Sequence, residues 1–316
     1  MDVEVLILSS LYDFSTDLVC DQLRCLGVRF LRINRETLPS SKIRLDPVSP
    51  AMEYFFDGRR WEISSGLRSV WYRQPVFLRN TPGTAMSIDE QLDRSQWSAF
   101  LRGLAVFDLA MWVNHPKASY LAESKPYQLR IAHKLGFQVP ITLVTNDVEA
   151  LSTSTIGDPF ILKSIDTILL RDGAEEIFAY SSVVTRGECF DSEFSSIPAT
   201  CQQLLQPKVD VRVTVIGQTV YAVGVTDCGN GIDGDWRLLQ KDRLRYQSTE
   251  LSDEERQRCV ELVRTLGLRF GAIDMARTTV GNYFIEINPT GEWGWLDRPF
   301  RPIAADIASL LARPGA

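Results

Sequence analysis

Two histidines, His115 and His133, in 316 residues leave little material for a histidine-based zinc site or a Ser-His-Asp triad, although either ring could still serve as a lone base. The six cysteines (Cys20, Cys25, Cys189, Cys201, Cys228 and Cys259) are scattered and make no Cys-x-x-Cys pair. They read as reduced thiols of a cytoplasmic protein, not as a metal cage or a disulfide framework. No apolar run approaches the roughly 20 residues that cross a bilayer, so no membrane is expected. The apolar opening Val3–Leu8 follows an acidic residue without a basic flank and reads as a strand, not as a signal peptide. Net charge is −6, so no global basic field exists to hold nucleic acid. Heptads, internal repeats and low-complexity segments are also missing.

What remains is an ordinary globular composition, 45% apolar and 23% charged, long enough for two or three domains. In residues 1–112, Val3–Leu8 and Val28–Ile33 read as strands around an amphipathic helix, Ser15–Leu26, capped by Ser15 or Thr16. Asp57-Gly58 between Met52–Phe56 and Arg60–Ile63 signals a hairpin. Ser69–Arg73 reads as a further strand and Asp89–Phe107 as a long helix. In residues 113–201, a loop at Asn114-His115-Pro116 precedes a helix over Lys125–Leu135 that Gly136 ends. An extended run to Thr145 and a strand over Phe160–Ser164 follow. Residues 202–316 are strand-rich, with Thr219–Asp227 after a Gly217-Gln218 turn and a helix over Asp253–Leu266 before the last two strands, Gly271–Arg277 and Asn282–Asn288. The order is α/β to α+β in type, with an antiparallel second half.

The last hairpin raises a chemical question, because Glu286 and Asn288 interrupt an apolar strand that packing alone would fill with Val or Leu. If the turn centres on Val280, Asp274 and Glu286 pair, and Asn288 shares their face because strand side chains repeat with period 2. Two carboxylates and an amide suit a hard, oxygen-seeking ion such as Mg²⁺ or Mn²⁺. An edge strand ending in solvated acids has the same spacing, and both readings stand. Lys163 inside Phe-Ile-Leu-Lys-Ser would be costly if buried unpaired, and Lys125 opens a helix where the dipole disfavours an ammonium. Both placements make sense around an anion, although each lysine taken singly also reads as exposed. Arg212, between Asp210 and Thr214 on an alternating strand, is either solvated or a phosphate clamp.

Six stretches in order now carry a resemblance: NHP…ESKPYQLRIAHKLGFQVPITLVT, PFILKS, QQLLQPKVDVRVTVIG, DWRLL, GLRFGAIDM and FIEINPTGEW. The chain resembles the ATP-grasp superfamily over nearly its whole length. Within it, the likeness is to the peptide-modifying branch of ribosomal-protein glutamate ligases and microviridin (graspetide) macrocyclases. VWYRQP, DWR and the tryptophan-containing tail favour the macrocyclases. The resemblance implies a pre-ATP-grasp domain at 1–112, a central subdomain at 113–201 and a C-terminal subdomain at 202–316, with nucleotide between the last two.

It also implies roles. Lys125 and Lys163 match phosphate-holding lysines; Gln202, Gln203, Leu204 and Leu205 match the adenine-binding hinge; and Lys208 and Asp210 fall where nucleotide contacts lie. Arg212 and Arg237 match catalytic arginines near the γ-phosphate and acyl-phosphate, and Asp274, Glu286 and Asn288 match metal ligands. The expected cofactors are ATP and Mg²⁺ or Mn²⁺. Two departures stand out. Ser-Ile-Asp-Thr-Ile-Leu-Leu-Arg-Asp-Gly replaces the glycine-rich stretch after the second lysine, and Thr-Gly-Glu follows Asn-Pro where macrocyclases commonly have Asn-Gly-Gln.

The implied reaction activates a Glu or Asp side chain of a ribosomally made precursor as an acyl-phosphate, which a hydroxyl or amine then displaces. The expected partner is a precursor with a leader and an acidic core, and a homodimer is also allowed. Arg73, Arg171 and Arg186 are the candidate substrate contacts, the last two lying in the stretch 170–194 expected to grip the leader. Arg29, Arg32 and Arg35 either meet an acidic peptide or form a solvated basic face. The alternatives are a ligase acting on a free amino acid or small peptide, and a silent module that only binds nucleotide or a protein. The silent module is disfavoured because both lysines and the full metal set are retained.

Overall fold

The computed structural model describes residues 1–73, 87–166, 169–172, 175–178, 181–190, 196–232, 234 and 236–313; the side chains at 169–172, 175–178, 190 and 237 lie outside this description. The chain opens with β1 (Val5–Ser9), α1 (Phe14–Cys25) and β2 (Phe30–Asn34). A meander of β3 (Lys42–Asp46), β4 (Ala51–Phe56) and β5 (Arg59–Ile63) follows, then β6 (Ser69–Tyr72), α2 (Ile88–Gly103) and β7 (Met111–Val113). Strands β2-β1-β6-β7 form a parallel sheet, while β3-β4-β5 form a separate antiparallel one. The cap of α1 is Asp13, whose side chain accepts from the Thr16 amide, and not Ser15 or Thr16 as the sequence suggests. An acceptor at the position before the first turn satisfies an otherwise orphaned donor. β3 is not among the strands read from the sequence, although Lys-Ile-Arg-Leu-Asp alternates and its apolar residues are the half-buried ones.

Beyond this unit come α3 (Pro116–Ala122), α4 (Lys125–Lys134), β8 (Thr142–Thr145), α5 (Val148–Thr153) and β9 (Phe160–Lys163). Next are the hairpin β10 (Leu169–Asp172) and β11 (Glu175–Phe178), then β12 (Ser182–Val184), α6 (Arg186–Phe190) and β13 (Ala199–Gln203). Strands β12-β9-β13-β8 make a small sheet. The last third holds β14 (Val209–Ile216), β15 (Thr219–Asp227), β16 (Leu244–Ser248), α7 (Asp253–Thr265), β17 (Phe270–Thr278), β18 (Gly281–Asn288) and α8 (Ile303–Ala312). Their five strands pair antiparallel in the order β16-β15-β14-β17-β18.

Packing crosses the divisions read from the sequence. The boundary at 112/113 falls inside β7, and the one at 201/202 falls inside β13. Ala122, Ile131, Ala132 and Phe137 share a core with Val211, Val213, Leu262, Ile273 and Phe284, so α3 and α4 back the five-stranded sheet together with α7. Another core joins Val5, Ile7 and Trp71 of the first sheet to Ile216, Phe270, Trp293 and the apolar face of α8. Helices carry no strand ladder that declares their sheet, so such partners are set by long-range burial and not by local pattern.

Candidate active site

One row of side chains crosses three strands of the large sheet. Along β14, Val211, Val213 and Val215 enter the core behind the sheet, which turns Asp210, Arg212 and Thr214 to the opposite face. Arg212 lies directly across from Asp274 on β17, and Asp274 directly across from Glu286 on β18. Asn288, opposite Ala272, follows Glu286 on the same face.

This row depends on a β-bulge. From the hairpin tip the ladder runs regularly through Arg277↔Asn282, Ala276↔Tyr283 and Met275↔Phe284, which would bring Ile285 opposite Asp274. The register shifts there, and Glu286 takes the place instead. Phe284 and Ile287, three residues apart, consequently both enter the core, which period 2 forbids in a regular strand. Ile285 and Glu286, consecutive in sequence, both line the cleft in front of the sheet.

That cleft, about 780 Å³ with its solvent-open mouth included, separates the large sheet from the small one. Its apolar walls include Ile161, Leu204, Leu205, Trp236, Met275 and Ile285. Its charged lining is Lys163, Lys208, Asp210, Arg212, Asp274 and Glu286. Arg212 is 8% exposed; its Nη1 donates to both oxygens of Asp274 at 2.7 and 2.8 Å, and its Nη2 to the Glu292 carbonyl at 3.3 Å. Lys208 Nζ donates to both oxygens of Asp210 at 2.6 Å. On the opposite wall Lys163 Nζ donates to Gln202 Oε1 at 2.9 Å, and Gln202 Nε2 in turn to Thr142 Oγ1 at 2.9 Å. Lys125, at the first turn of α4, reaches Glu286 at 3.3 Å.

Lys163, Gln202, Gln203, Leu204, Leu205, Lys208, Asp210, Arg212, Asp274 and Glu286 thus surround one cleft, with Lys125 at its acidic corner. Asn288 stands just beyond the lining, its Oδ1 accepting from the Thr290 amide at 3.1 Å. The donors Asp274, Glu286 and Asn288 are all oxygens on one sheet face, which suits a hard divalent cation. Among the described residues no group of three His, Cys, Asp or Glu side chains could hold a metal, so the third protein donor here would be the amide.

The expected substrate arginines need correction. Arg73 is 2% exposed; it pairs with Asp13 at 3.0 Å and Glu292 at 2.6 Å, and donates to the Thr290 carbonyl, so among the described residues it serves as an internal clasp and not as a surface contact. Arg186 spends its guanidinium on the carbonyls of Ser152, Ser154 and Ile156, tying α6 to the end of α5. Arg171 lies in β10 and Arg237 in a short 3-10 turn, Trp236–Leu238, with side chains outside the described part. Arg32 pairs with Asp17, Arg29 with Glu4 and Arg35 with Glu36, so this basic run is neutralised locally.

Two buried amides escaped the sequence reading. Gln128 of α4 donates to the carbonyls of Ala122 (2.5 Å) and Ile287 (2.8 Å) and accepts from the Ile287 amide, pinning β18 beside Glu286. Asn114 donates to the carbonyls of Phe270 and Pro289 and accepts from the amides of Arg269 and Phe270. Their only signal was position, a polar residue among apolar neighbours. Activated nucleophiles do not emerge from the resolved shifts. Burial pushes the thiols of Cys20 and Cys201 up to about 11 and Cys259 up to about 12. His115 caps α3 through Nδ1, and burial together with Lys117 holds its pKa below the usual value. No helix among the described residues is long and apolar enough to cross a membrane.

No family model matches the sequence. Structures do. The chain superimposes with a TM-score of 0.81 on the macrocyclase MdnC of Microcystis aeruginosa, solved with the precursor peptide MdnA, at 23% identity over 98% of this chain and 99% of that one. A RiPP-associated ATP-grasp ligase of Chryseobacterium gregarium, solved with ADP and a leader and core peptide, gives 0.82 at 24% identity over 99% of this chain and 98% of that one. The fold is that of the ATP-grasp ligases. By sequence the chain is 28% identical over 182 residues to a probable alpha-L-glutamate ligase of Haemophilus influenzae, 56% of this chain and 58% of that protein. It thus spans less than two thirds of the curated relatives it matches. In ATP-grasp terms, the cleft lies between the small sheet of the central region and the large C-terminal sheet.

Proposed function

We propose that this ATP-grasp protein is an ATP-dependent ligase that activates Glu or Asp side chains of a ribosomally made precursor peptide and closes them onto hydroxyl or amine partners as esters or amides. The carrying observation is the cleft, where the cations Lys163, Lys208 and Arg212 and the acids Asp274 and Glu286 face an apolar slot. The whole-chain likeness to a macrocyclase solved with its precursor supports the peptide as substrate.

In this proposal the base lies among Ile161, Leu204, Leu205, Met275 and Ile285, with the Gln202–Leu205 backbone at its edge. Lys163, Lys125 and Arg212 face the phosphates, Lys208 and Asp210 flank the nucleotide, and Arg237 joins Arg212 on the transferred group. Asp274, Glu286 and Asn288 hold Mg²⁺ or Mn²⁺, which when bound neutralises phosphate charge and orients it. The substrate carboxylate attacks the γ-phosphorus and ADP leaves; a hydroxyl or amine then attacks the acyl carbon and phosphate leaves. Arg212 stabilises charge at the transferred phosphoryl group, so positioning and electrostatics do most of the work and no enzyme nucleophile is needed. The partner is a precursor with leader and acidic core, met in the cytoplasm, and the 170–194 stretch remains the proposed leader contact through its backbone hairpin and Arg171.

The test is mass spectrometry of a precursor peptide encoded beside the gene, incubated with ATP and Mg²⁺. Each ring removes the mass of one water. The curated glutamate ligases favour a second reading, addition of a free amino acid, in which the peptide gains a residue's mass instead.

A further inference from the structure

The strongest buried charge cluster outside the cleft belongs to the first sheet. Arg73 follows β6 and is 2% exposed, with Asp13 at 3.0 Å and Glu292 at 2.6 Å. Its Nη1 donates to the Thr290 carbonyl and, at 3.4 Å, to the Gly291 carbonyl. The same turn faces the cleft row: the Glu292 carbonyl accepts from Arg212 Nη2 at 3.3 Å, and the Thr290 amide donates to Asn288 Oδ1 at 3.1 Å. The fit is close. A Cβ on Gly291 would stand 2.5 Å from the Ala272 Cβ and 3.1 Å from Arg212 Nη2. Displacing this turn by a fraction of an ångström therefore displaces Arg212, whose other hand grips Asp274 at 2.7 and 2.8 Å. The chain Asp13–Arg73–turn 290–292–Arg212–Asp274 alternates in charge and is closed at each step by a charged group, and such contacts are stronger than neutral ones.

We infer that Arg73 is a positioning residue for the metal and phosphate end of the cleft: it fixes the 290–292 turn, and through it Arg212, Asp274 and Asn288. The inference rests on the functional reading above. Arg73 is absent from the cleft lining, so it acts only through the turn. A lysine keeps the charge but not the planar fork that reaches two carboxylates and two carbonyls at once. Arg73→Lys should therefore loosen the turn, and Glu292→Gln, nearly isosteric, should weaken it from the other side.

The test measures ADP affinity of the full chain by calorimetry, once with Mg²⁺ and once with a chelator, for wild type, Arg73→Lys and Glu292→Gln, with thermal melts of each. Binding without metal reads the base slot and Lys163; the gain on adding Mg²⁺ reads the row that Arg73 places. The expected result is unchanged metal-free affinity and a roughly tenfold smaller Mg²⁺ gain in both variants, the size of one lost charge-assisted contact. A general structural defect would weaken both conditions alike, and that outcome overturns the inference. So does a full Mg²⁺ gain in Glu292→Gln, whose fold has the least reason to change. A wild type that binds no ADP overturns the functional reading and this inference with it, whereas a binding wild type with unaffected variants overturns this inference alone.

Discussion

The two walls of the cleft are built to different standards. The large sheet rests on a core that runs from Val211, Val213 and Val215 through Leu262 and Ile273 to Phe284 and Ile287, backed by α4 and α7. Among the described residues, the small sheet rests on Leu151, Ile156, Phe160, Cys189 and Cys201, with half-buried Leu143, Val148, Leu162, Val184 and Ala199 against them. β14 is buried along most of its length, whereas in β9 only Phe160 is. Arg212, Asp274 and Glu286 stand on the deep wall, while Lys163 and Gln202 stand on the thin one. Groups that must keep their mutual geometry are thus carried by the element with most buried contact. A unit with so small a core is expected to open at lower free energy than the wall that faces it. In the proposed ligase the metal and phosphoryl chemistry sits on the deep wall, and the nucleotide is held between both walls.

The sharpest way to break this contrast is Glu286→Gln, which keeps volume and removes one carboxylate from the row. Turnover on precursor should fall by roughly 10²-fold or more, while circular dichroism and melting stay as in the wild type. Retained activity at saturating Mg²⁺ would show that the deep wall does not carry the chemistry. The next largest effect compares the two cores directly. Phe284→Ala and Phe160→Ala each empty a site with 0% exposure. The first should cost about 3–5 kcal/mol of global stability by denaturant titration. The second should instead raise hydrogen exchange in β8, β9 and β13 before any global loss. Equal global losses would mean the walls are one cooperative unit.

Lys163→Ala probes the thin wall itself. ATP affinity should weaken roughly 10- to 100-fold through loss of a charge-assisted contact, with Lys163→Arg restoring only part of it. Unchanged affinity would leave the lysine without a role. The smallest effect concerns the backing of the deep wall. Glu255 closes the capping box of α7 and accepts from Asn282 on β18 at 2.5 Å. Although desolvation raises its pKa, the Ser252 amide, Asn282, the Ser252 hydroxyl and Arg277 outweigh it and hold the carboxyl below 4.5. Its stabilisation is therefore fully present above the unfolded value and is lost as pH falls through the lower folded one. Glu255→Gln should lower stability by under about 1 kcal/mol near neutrality, after discounting for solvent screening. The difference from wild type should shrink in melts taken to pH values below the ordinary carboxylate range.

Much of the deep wall was legible in advance. Asp274 opposite Glu286 is the pairing expected, but the bulge delivers it: Thr278 pairs with Gly281, so the turn centres between Thr279 and Val280 and not on Val280. Lys125 opens α4 and Gly136 ends it with φ +83°. The ends of the last hairpin and of α7 differ from the sequence boundaries by a residue or so. What escaped was set by partners distant in sequence. Arg73 and Arg186 look like surface cations until Glu292 or the Ser152 carbonyl is seen beside them. α3 and α4 look like part of the central unit until their apolar faces meet β14 and β18. Gln128 and Asn114 carry no motif at all, since a side-chain amide shows its purpose only through the backbone groups it satisfies.

The bulge at Ile285 has a consequence for anyone who would move this hairpin elsewhere. Removing that single residue would barely change the strand's composition, hydropathy or propensity. The ladder would then run regularly from Thr278↔Gly281 inward, with the glutamate directly after Phe284 and still opposite Asp274 on the cleft face, so the side chain lost from the slot would be Ile285 alone. The bulge thus sets an apolar side chain beside an acid on one face, two consecutive residues doing what alternation would separate. A graft that drops the extra residue would keep the acids on their face and lose the apolar neighbour that stands beside them in the slot.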